Sequence, residues 1–267
     1  MATAASHLRL WLAPRRWWSA TAGVLSNLVH NKGKEEKHPF DRAHGVDTGG
    51  LIYADPAAEG PAGGRHNAGY YATAPSLFRG AMELWRGTLA ATGYAVEDYT
   101  LVDIGCGKGR VLMLGTEYGF REIVGVELDP GLARVARRNL RTFGRKGRIG
   151  LPGLQHRETW GTQGVRIIDG DALTVPLPDG PVALFYFNSF EREMTEMWLA
   201  RLGKIARDRT APLDLIYIHP EFDALVRQVP GMRAIAEADI PFSEEDGGAD
   251  AFGVDSDRCA VYRLSQS

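Results

Sequence analysis

The stretch Thr100–Pro130, TLVDIGCGKGRVLMLGTEYGFREIVGVELDP, constrains the fold more than any other part of the chain. The run Leu101–Ile104, apolar but for Asp103, stops at a turn carrying Gly105, Gly107 and Gly109. An amphipathic segment follows, and a second apolar run, Ile123–Val126, ends on Glu127. Short apolar runs bounded by turn residues are strands buried on both faces, and an amphipathic segment between two of them is a crossover helix. The unit is a strand, a glycine turn, a helix and a second strand with a carboxylate at its tip, which suits a nucleoside-containing cofactor. Glycines let the backbone approach the ligand, and the helix start offers free N–H groups to an anionic group. An ionised carboxylate can accept from two ribose hydroxyls at once.

The same alternation continues downstream. Val165–Ile168, Val182–Phe187 and Leu213–Ile218 read as strands, and Cys259–Leu264 as a final antiparallel one. Between them lie a helix after Pro130, striped with Leu132, Val135, Ala136, Leu140 and Phe143, and a helix over Glu191–Arg207 that turns Met194, Met197, Trp198, Leu202 and Ile205 inward. Residues 144–164 read as a long inserted loop, and Glu244–Asp250 as an acidic loop. Upstream, residues 76–92 form a helix with Ser76 as its N-cap and Leu77, Ala81, Leu84, Trp85 and Leu89 on one face. The expectation is an α/β fold: a doubly wound, mostly parallel seven-stranded sheet over residues 76–267, with residues 1–75 as a helical and loop-rich cap or lid.

Composition narrows the function classes. A net charge of -2 gives no global pull toward nucleic acid or an anionic membrane. Cys106 and Cys259 read as reduced thiols, which points to a cytoplasmic protein and leaves no metal site from cysteine. His38, His44 and His66 lack a metal-binding spacing, so no metal is expected. Residues 8–29 are rich in Trp, Leu and Arg, and Pro14-Arg15-Arg16 interrupts any secretory core. From Ser19 the positions Ala22, Leu25, Leu28 and Val29 keep helical spacing. A helix folded on the domain or a tail is favoured there over a membrane-surface helix. Arg134, Arg137, Arg138 and Arg141, with Arg145, Lys146 and Arg148, make a basic row, read as a solvated face rather than a nucleic-acid surface.

The turn spacing Gly105-x-Gly107-x-Gly109 is not the G-x-G-x-x-G of a dinucleotide site. VDIGCGKGR instead resembles the first motif of class I S-adenosylmethionine-dependent methyltransferases, VGVELDP the second, GDAL at Gly170–Leu173 the third, and LFYFNSF the motif on their fourth strand. The resemblance implies S-adenosylmethionine as cofactor. It puts Gly105, Cys106 and Gly107 beneath the cofactor, Asp103 toward its amino group, Glu127 on the ribose and Leu128 against the adenine. Asp171 would accept from the adenine amino group and Ala172 donate from its backbone. YYATAPSLF resembles a Y-x-P-T-P segment whose hydroxyl meets the methionine carboxylate, a part that Thr73 or Ser76 would take. Lys108 either neutralises that carboxylate or faces solvent. HPFDRAHGVDTGG resembles the leader of a group of bacterial methyltransferases and supports a lid. Methyl transfer needs no covalent enzyme intermediate, so Cys106 is a small turn residue and not a nucleophile.

Asn188 is the catalytic candidate that the resemblance implies, because N-methyltransferases use a D/N-P-P-F/Y motif to orient an amine. Here the sequence is Asn188-Ser189-Phe190-Glu191, without the prolines, which leaves amine specificity open. His219 and Glu221 follow a strand on the same sheet edge and are candidate bases. Tyr53, Tyr70 and Tyr71 are candidates for lining a substrate pocket. The expected activity is N-methylation of a protein side chain or small metabolite by direct SN2 transfer. The rivals are O-methylation of a small molecule, a non-catalytic cofactor-fold protein, and an NAD-dependent oxidoreductase, the last disfavoured by the turn spacing and by Asp171. Nucleic acid is not an expected partner, and the sequence does not fix the oligomeric state.

Overall fold

In a computed structural model, residues 37–52, 69–146, 158–160, 163–249 and 253–264 are described. The helix expected within residues 8–29, and Tyr53, His66 and Arg148, lie outside them.

The sheet follows from how its strands are buried. β3 (Thr100–Ile104), β7 (Val182–Tyr186) and β8 (Leu213–Ile218) are buried at every position, as strands covered on both faces must be. With β4 (Glu122–Glu127) and β6 (Gln163–Asp169) they form a parallel block. Antiparallel β10 (Ser256–Leu264) pairs with β8, and β9 (Met232–Pro241) closes that edge. Opposite, β5 (Glu158–Trp160) pairs antiparallel with β6. The order is β5-β6-β4-β3-β7-β8-β10-β9. The mostly parallel doubly wound sheet is therefore present, with β5 as a short eighth strand on one edge. β5 lies inside the stretch read as an inserted loop, and the helix before it runs on to Lys146.

Alternate residues of each strand feed two cores. Leu101 and Ile123 join a cluster with Leu77, Trp85, Leu112 and Leu140, from α2 (Pro75–Arg86), α3 (Arg110–Gly115) and α4 (Pro130–Lys146). Val102, Ile104 and Val124 join a second cluster with Trp198, Leu199 and Leu202 of α5 (Arg192–Ala206). Asp214 is buried in the sheet, where it accepts from Trp85 Nε1 at 2.9 Å and from Arg263 Nε and Nη2 at 2.7 and 2.8 Å.

Three expectations are corrected. Ser76 does not cap α2: Ala74 holds that position and Pro75 starts the helix. Its backbone N–H donates instead to Asp246 Oδ2 at 2.7 Å, and Asp246 belongs to a helix, Glu244–Ala249, where an acidic loop was expected. A carboxylate at the N-terminal end of the twelve-residue α2 is electrostatically favourable. Met197, expected to face inward, is 53% exposed on α5. Before the domain, α1 (Pro39–His44) and a ladder of β1 (Leu51–Ile52) with β2 (Tyr70–Tyr71) are short elements within the stretch read as a helical and loop-rich cap. Among the described residues no helix is long and apolar enough to cross a membrane.

Candidate functional site

The chain leaves β3 toward β4 on one side and enters β7 on the other, so a crevice opens at the carboxyl ends of β3 and β7, where open α/β sheets bind ligands. The glycine turn fills the β3 side of this crevice. Gly105, Gly107 and Gly109 have φ of 74°, 53° and 87°, the left-handed region in which a Cβ is strained. A Cβ on Gly105 would lie 2.6 Å from Ser189 Oγ, which donates to Ile104 O at 2.6 Å, and one on Gly107 would overlap the ring of Tyr70. The turn is thus held between the exit of β7 and β2. α3 beyond it has six residues, too short for a large helix dipole.

Glu127 braces the turn from β4. Its Oε2 accepts from Gly107 N at 2.7 Å and its Oε1 from Asp129 N at 2.8 Å. Burial pushes its carboxyl above the usual glutamate value, and those backbone N–H groups hold it partly back. Leu128 beside it is half-buried. The carbonyl of Glu127 accepts from Gly170 N at 2.9 Å, which brings the tip of β6 alongside. There Asp171 Oδ1 accepts from Leu173 N at 2.8 Å, and Ala172 is buried.

A solvent-open pocket lies on the other side of the turn, and Thr73, Asp103, Gly105, Cys106, Arg110 and Ser189 all contribute to it. Of the two hydroxyl candidates, Thr73 reaches this pocket and Ser76 does not. Asp103 is 5% exposed and makes no hydrogen bond through its carboxyl group among the described residues. Burial, and then the charge of Glu127, push that carboxyl well above its ordinary value. Burial also pushes up the Cys106 thiol, so the sulfur keeps its proton.

The residues after α1 pack against Arg110 and Tyr70, two of the residues that line this pocket. Asp41 Oδ2 accepts from Thr48 N and Gly49 N at 2.7 and 2.8 Å, and Thr48 Oγ1 donates to Asp41 Oδ1. Arg110 Nε donates to Thr48 Oγ1 at 2.7 Å, and Tyr70 Oη to Thr48 O at 2.6 Å. Asn139 of α4 clasps Asp47 through both its backbone groups, at 3.1 and 2.7 Å. Lys108 Nζ donates to Gly49 O at 2.6 Å and lies 3.6 Å from Asp47, so it serves this segment. The basic row on α4 is partly engaged in the same way, because Arg137 pairs with Asp169 and Arg138 lies 3.6 Å from Asp47.

Asn188 and His219 are brought together at the ends of β7 and β8. Both have left-handed backbones, with φ of 42° and 51°. Asn188 Nδ2 donates to His219 O at 2.7 Å, and Asn188 Oδ1 accepts from Tyr217 Oη at 2.6 Å. His219 Nδ1 is 2.9 Å from Asp257 Oδ1, and this hydrogen bond raises the imidazole pKa against the opposing effect of burial. Neither residue lines the pocket, but Phe187 and Ser189, the neighbours of Asn188, do. Glu221 lies one turn on, its N–H donating to His219 O at 2.7 Å.

No motif in the sequence assigns a part to the side chain of Arg110. It is 4% exposed, and the only sign of its burial is that Val111, Leu112, Met113 and Leu114 follow it without a polar break.

A family model described as a methyltransferase domain matches residues 102–198. No curated protein sequence matches the chain. Among solved structures, similarity extends to magnesium protoporphyrin IX methyltransferase from Synechocystis PCC 6803 with bound cofactor, at 12% identity over 71% of this chain and 80% of that one, TM-score 0.47. The N-methyltransferase NodS from Bradyrhizobium japonicum WM9 is similar at 10% identity over 72% and 98%, TM-score 0.44. An RNA methyltransferase from Salinibacter ruber in complex with S-adenosyl-L-homocysteine is similar at 17% identity over 71% and 92%, TM-score 0.42.

Proposed function

The chain carries a methyltransferase domain of the class I, S-adenosylmethionine-dependent kind, and on that premise we propose that it methylates a nitrogen of a protein side chain or a small metabolite. S-adenosylmethionine supplies a methyl group on a sulfonium, whose sulfur departs as a thioether, so the protein has mainly to align the partners and keep water out.

In this reading Glu127 takes the ribose hydroxyls with the lone pairs that Gly107 and Asp129 do not use. Leu128 packs on the adenine, Asp171 accepts from its amino group through the oxygen not bonded to Leu173, and Ala172 donates from its backbone. Gly105, Cys106 and Gly107 let the backbone lie against the ligand, and the Thr73 hydroxyl faces the methionine end. Asp103 receives the amino group. A buried carboxyl without a hydrogen bond is costly, and a cationic partner offsets that cost. Residues 37–52 act as the lid, and the two buried thiols, Cys106 and Cys259, support a reducing compartment such as the cytoplasm.

The acceptor nitrogen is assigned to Asn188. A backbone carbonyl can only accept, so the His219 carbonyl fixes Nδ2 and therefore Oδ1 of Asn188. Oδ1 keeps a lone pair beyond its bond from Tyr217, with which it can accept from an amine N–H and aim the nitrogen at the methyl. That fixed oxygen carries the amine reading. Asn188→Ala should lower turnover about 100-fold, as misalignment does, and leave S-adenosylhomocysteine affinity nearly unchanged. Loss of binding without a separate loss of turnover would refute the role. Labelled-methyl transfer into a cell extract, fractionated by size, identifies the acceptor class. A second reading, O-methylation with His219 as base, is favoured by its contact with Asp257. It predicts an O-methyl product and loss of turnover in His219→Ala.

A further inference from the structure

Arg110 is a buried charge whose hydrogen bonds do not account for it. A guanidinium carries five N–H donors. Nε donates to Thr48 Oγ1 at 2.7 Å and Nη1 to Thr73 O at 3.3 Å, while Nη2 is buried with no hydrogen-bond partner among the described residues. The nearest carboxylate oxygen, Asp41 Oδ1, is 3.7 Å from Nη2, beyond hydrogen-bond reach. Asp41 cannot easily turn to it, because both its oxygens are engaged by Thr48 and Gly49. An unsatisfied donor on a buried cation is expensive and rare, and a ligand acceptor is one of its few explanations. Arg110 lines the same pocket as Asp103. One wall therefore offers a buried carboxyl and another a buried guanidinium, the complement of an α-amino acid zwitterion.

Resting on the methyl-donor reading, we propose that Arg110 binds the α-carboxylate of the cofactor's methionine part and, through Thr48, couples that carboxylate to closure of the 37–52 lid. Asp103 takes the ammonium and Arg110 the carboxylate, with the planar fork that suits a carboxylate better than the point charge of a lysine. Lys108 is already committed to Gly49 and Asp47. The lid hangs on the same guanidinium, because Thr48 Oγ1 accepts from Arg110 while donating to Asp41. A bound carboxylate holds Arg110 in place and the lid with it.

The test uses two ligands that differ only in the carboxylate, S-adenosylhomocysteine and its decarboxylated thioether amine, titrated calorimetrically into the full chain. The intact chain should prefer S-adenosylhomocysteine by at least 30-fold, and Arg110→Met should bind both alike. Equal weakening of both ligands in Arg110→Met, or no preference in the intact chain, overturns the assignment. Binding of neither ligand by the intact chain overturns the methyl-donor reading and the assignment with it. Should Arg110→Met fail to fold, hydrogen exchange on the unmodified protein decides. The Thr48 and Gly49 amides should slow at least tenfold more with S-adenosylhomocysteine than with the decarboxylated ligand at equal saturation. Equal slowing overturns the coupling.

Discussion

Replacing Asp103 by asparagine should move stability and ligand binding in opposite directions. Asp103 is 5% exposed, its carboxyl has no hydrogen bond among the described residues, and burial raises its pKa well above the ordinary 3.8. A group whose folded pKa lies above its unfolded one holds its proton more tightly in the folded state. Its stabilisation is complete below pH 3.8 and is lost as pH rises through the folded value. One such proton gives a slope of up to about 1.4 kcal/mol per pH unit across that window. The asparagine side chain cannot ionise and keeps nearly the same shape. Urea unfolding of ligand-free protein, run in steps from about pH 4 to pH 8, should therefore show the native chain losing stability relative to Asp103→Asn as pH rises. Glu127 is also raised and slopes both curves in the same direction, so their difference reports Asp103 together with its coupling to Glu127. Affinity for S-adenosylhomocysteine should fall in the variant by about 1.5–3 kcal/mol, the worth of a charged hydrogen bond, or roughly 10- to 150-fold. Parallel stability curves would refute the reasoning, because they would mean that the carboxylate is solvated or paired. A variant that is more stable yet binds ligand normally would refute the assigned partner.

Three further outcomes are expected. Gly107→Ala should lower the unfolding free energy by about 2 kcal/mol, about half from a left-handed φ and half from displacing Tyr70 and its bond to Thr48; an unchanged urea midpoint would contradict the geometry. Glu127→Ala should weaken S-adenosylhomocysteine at least about tenfold, or 1.4 kcal/mol, in calorimetry, with NAD not binding to either protein. Asp214→Ala should cost about 3–5 kcal/mol in urea unfolding, because Arg263 and the Trp85 indole lose their buried acceptor, and it should leave ligand affinity unchanged where folded protein persists.

How far the fold can be read from the sequence depends on what holds each element. β3, β4, β7 and β8 are covered on both faces, and that burial writes itself as apolar runs. β9 is an edge strand: Arg233, Glu237 and Asp239 face solvent, its middle is alanine, and Pro241 ends it, so neither apolarity nor β propensity marks it. α1 and the residues after it are held by side chains that reach across the chain, Asn139 to Asp47 and Arg110 to Thr48, which no local period records. Ser76 looked like a cap because proline and serine precede an apolar stripe, whereas the bond to its N–H comes from Asp246.

The same division runs through the site. Glu127, Asp171 and the glycines sit at strand tips, where the geometry is set by the nearest backbone, so their spacing along the chain carries the information. Arg110 follows those glycines directly, yet its surroundings come from Asp41, Thr48 and Thr73. A charge beside a turn ordinarily faces water, and here the packing of Asp41, Thr48 and Thr73 around it makes it interior. Asn188 and His219 present a third case. Two adjacent strand ends in left-handed backbone cost about 1–3 kcal/mol each, and such strain persists only where the surroundings over-determine it. Here they do: Asn188 is fixed by two bonds of its side-chain amide, to the His219 carbonyl and from Tyr217, and His219 by its backbone N–H to Arg258 O and its imidazole to Asp257. The strain turns an amide oxygen and an imidazole to set positions on the ligand edge of the sheet. In the proposed reading the acceptor is chosen at that edge, by long-range contacts that leave no local pattern, whereas the methyl-donor motifs lie in local spacing.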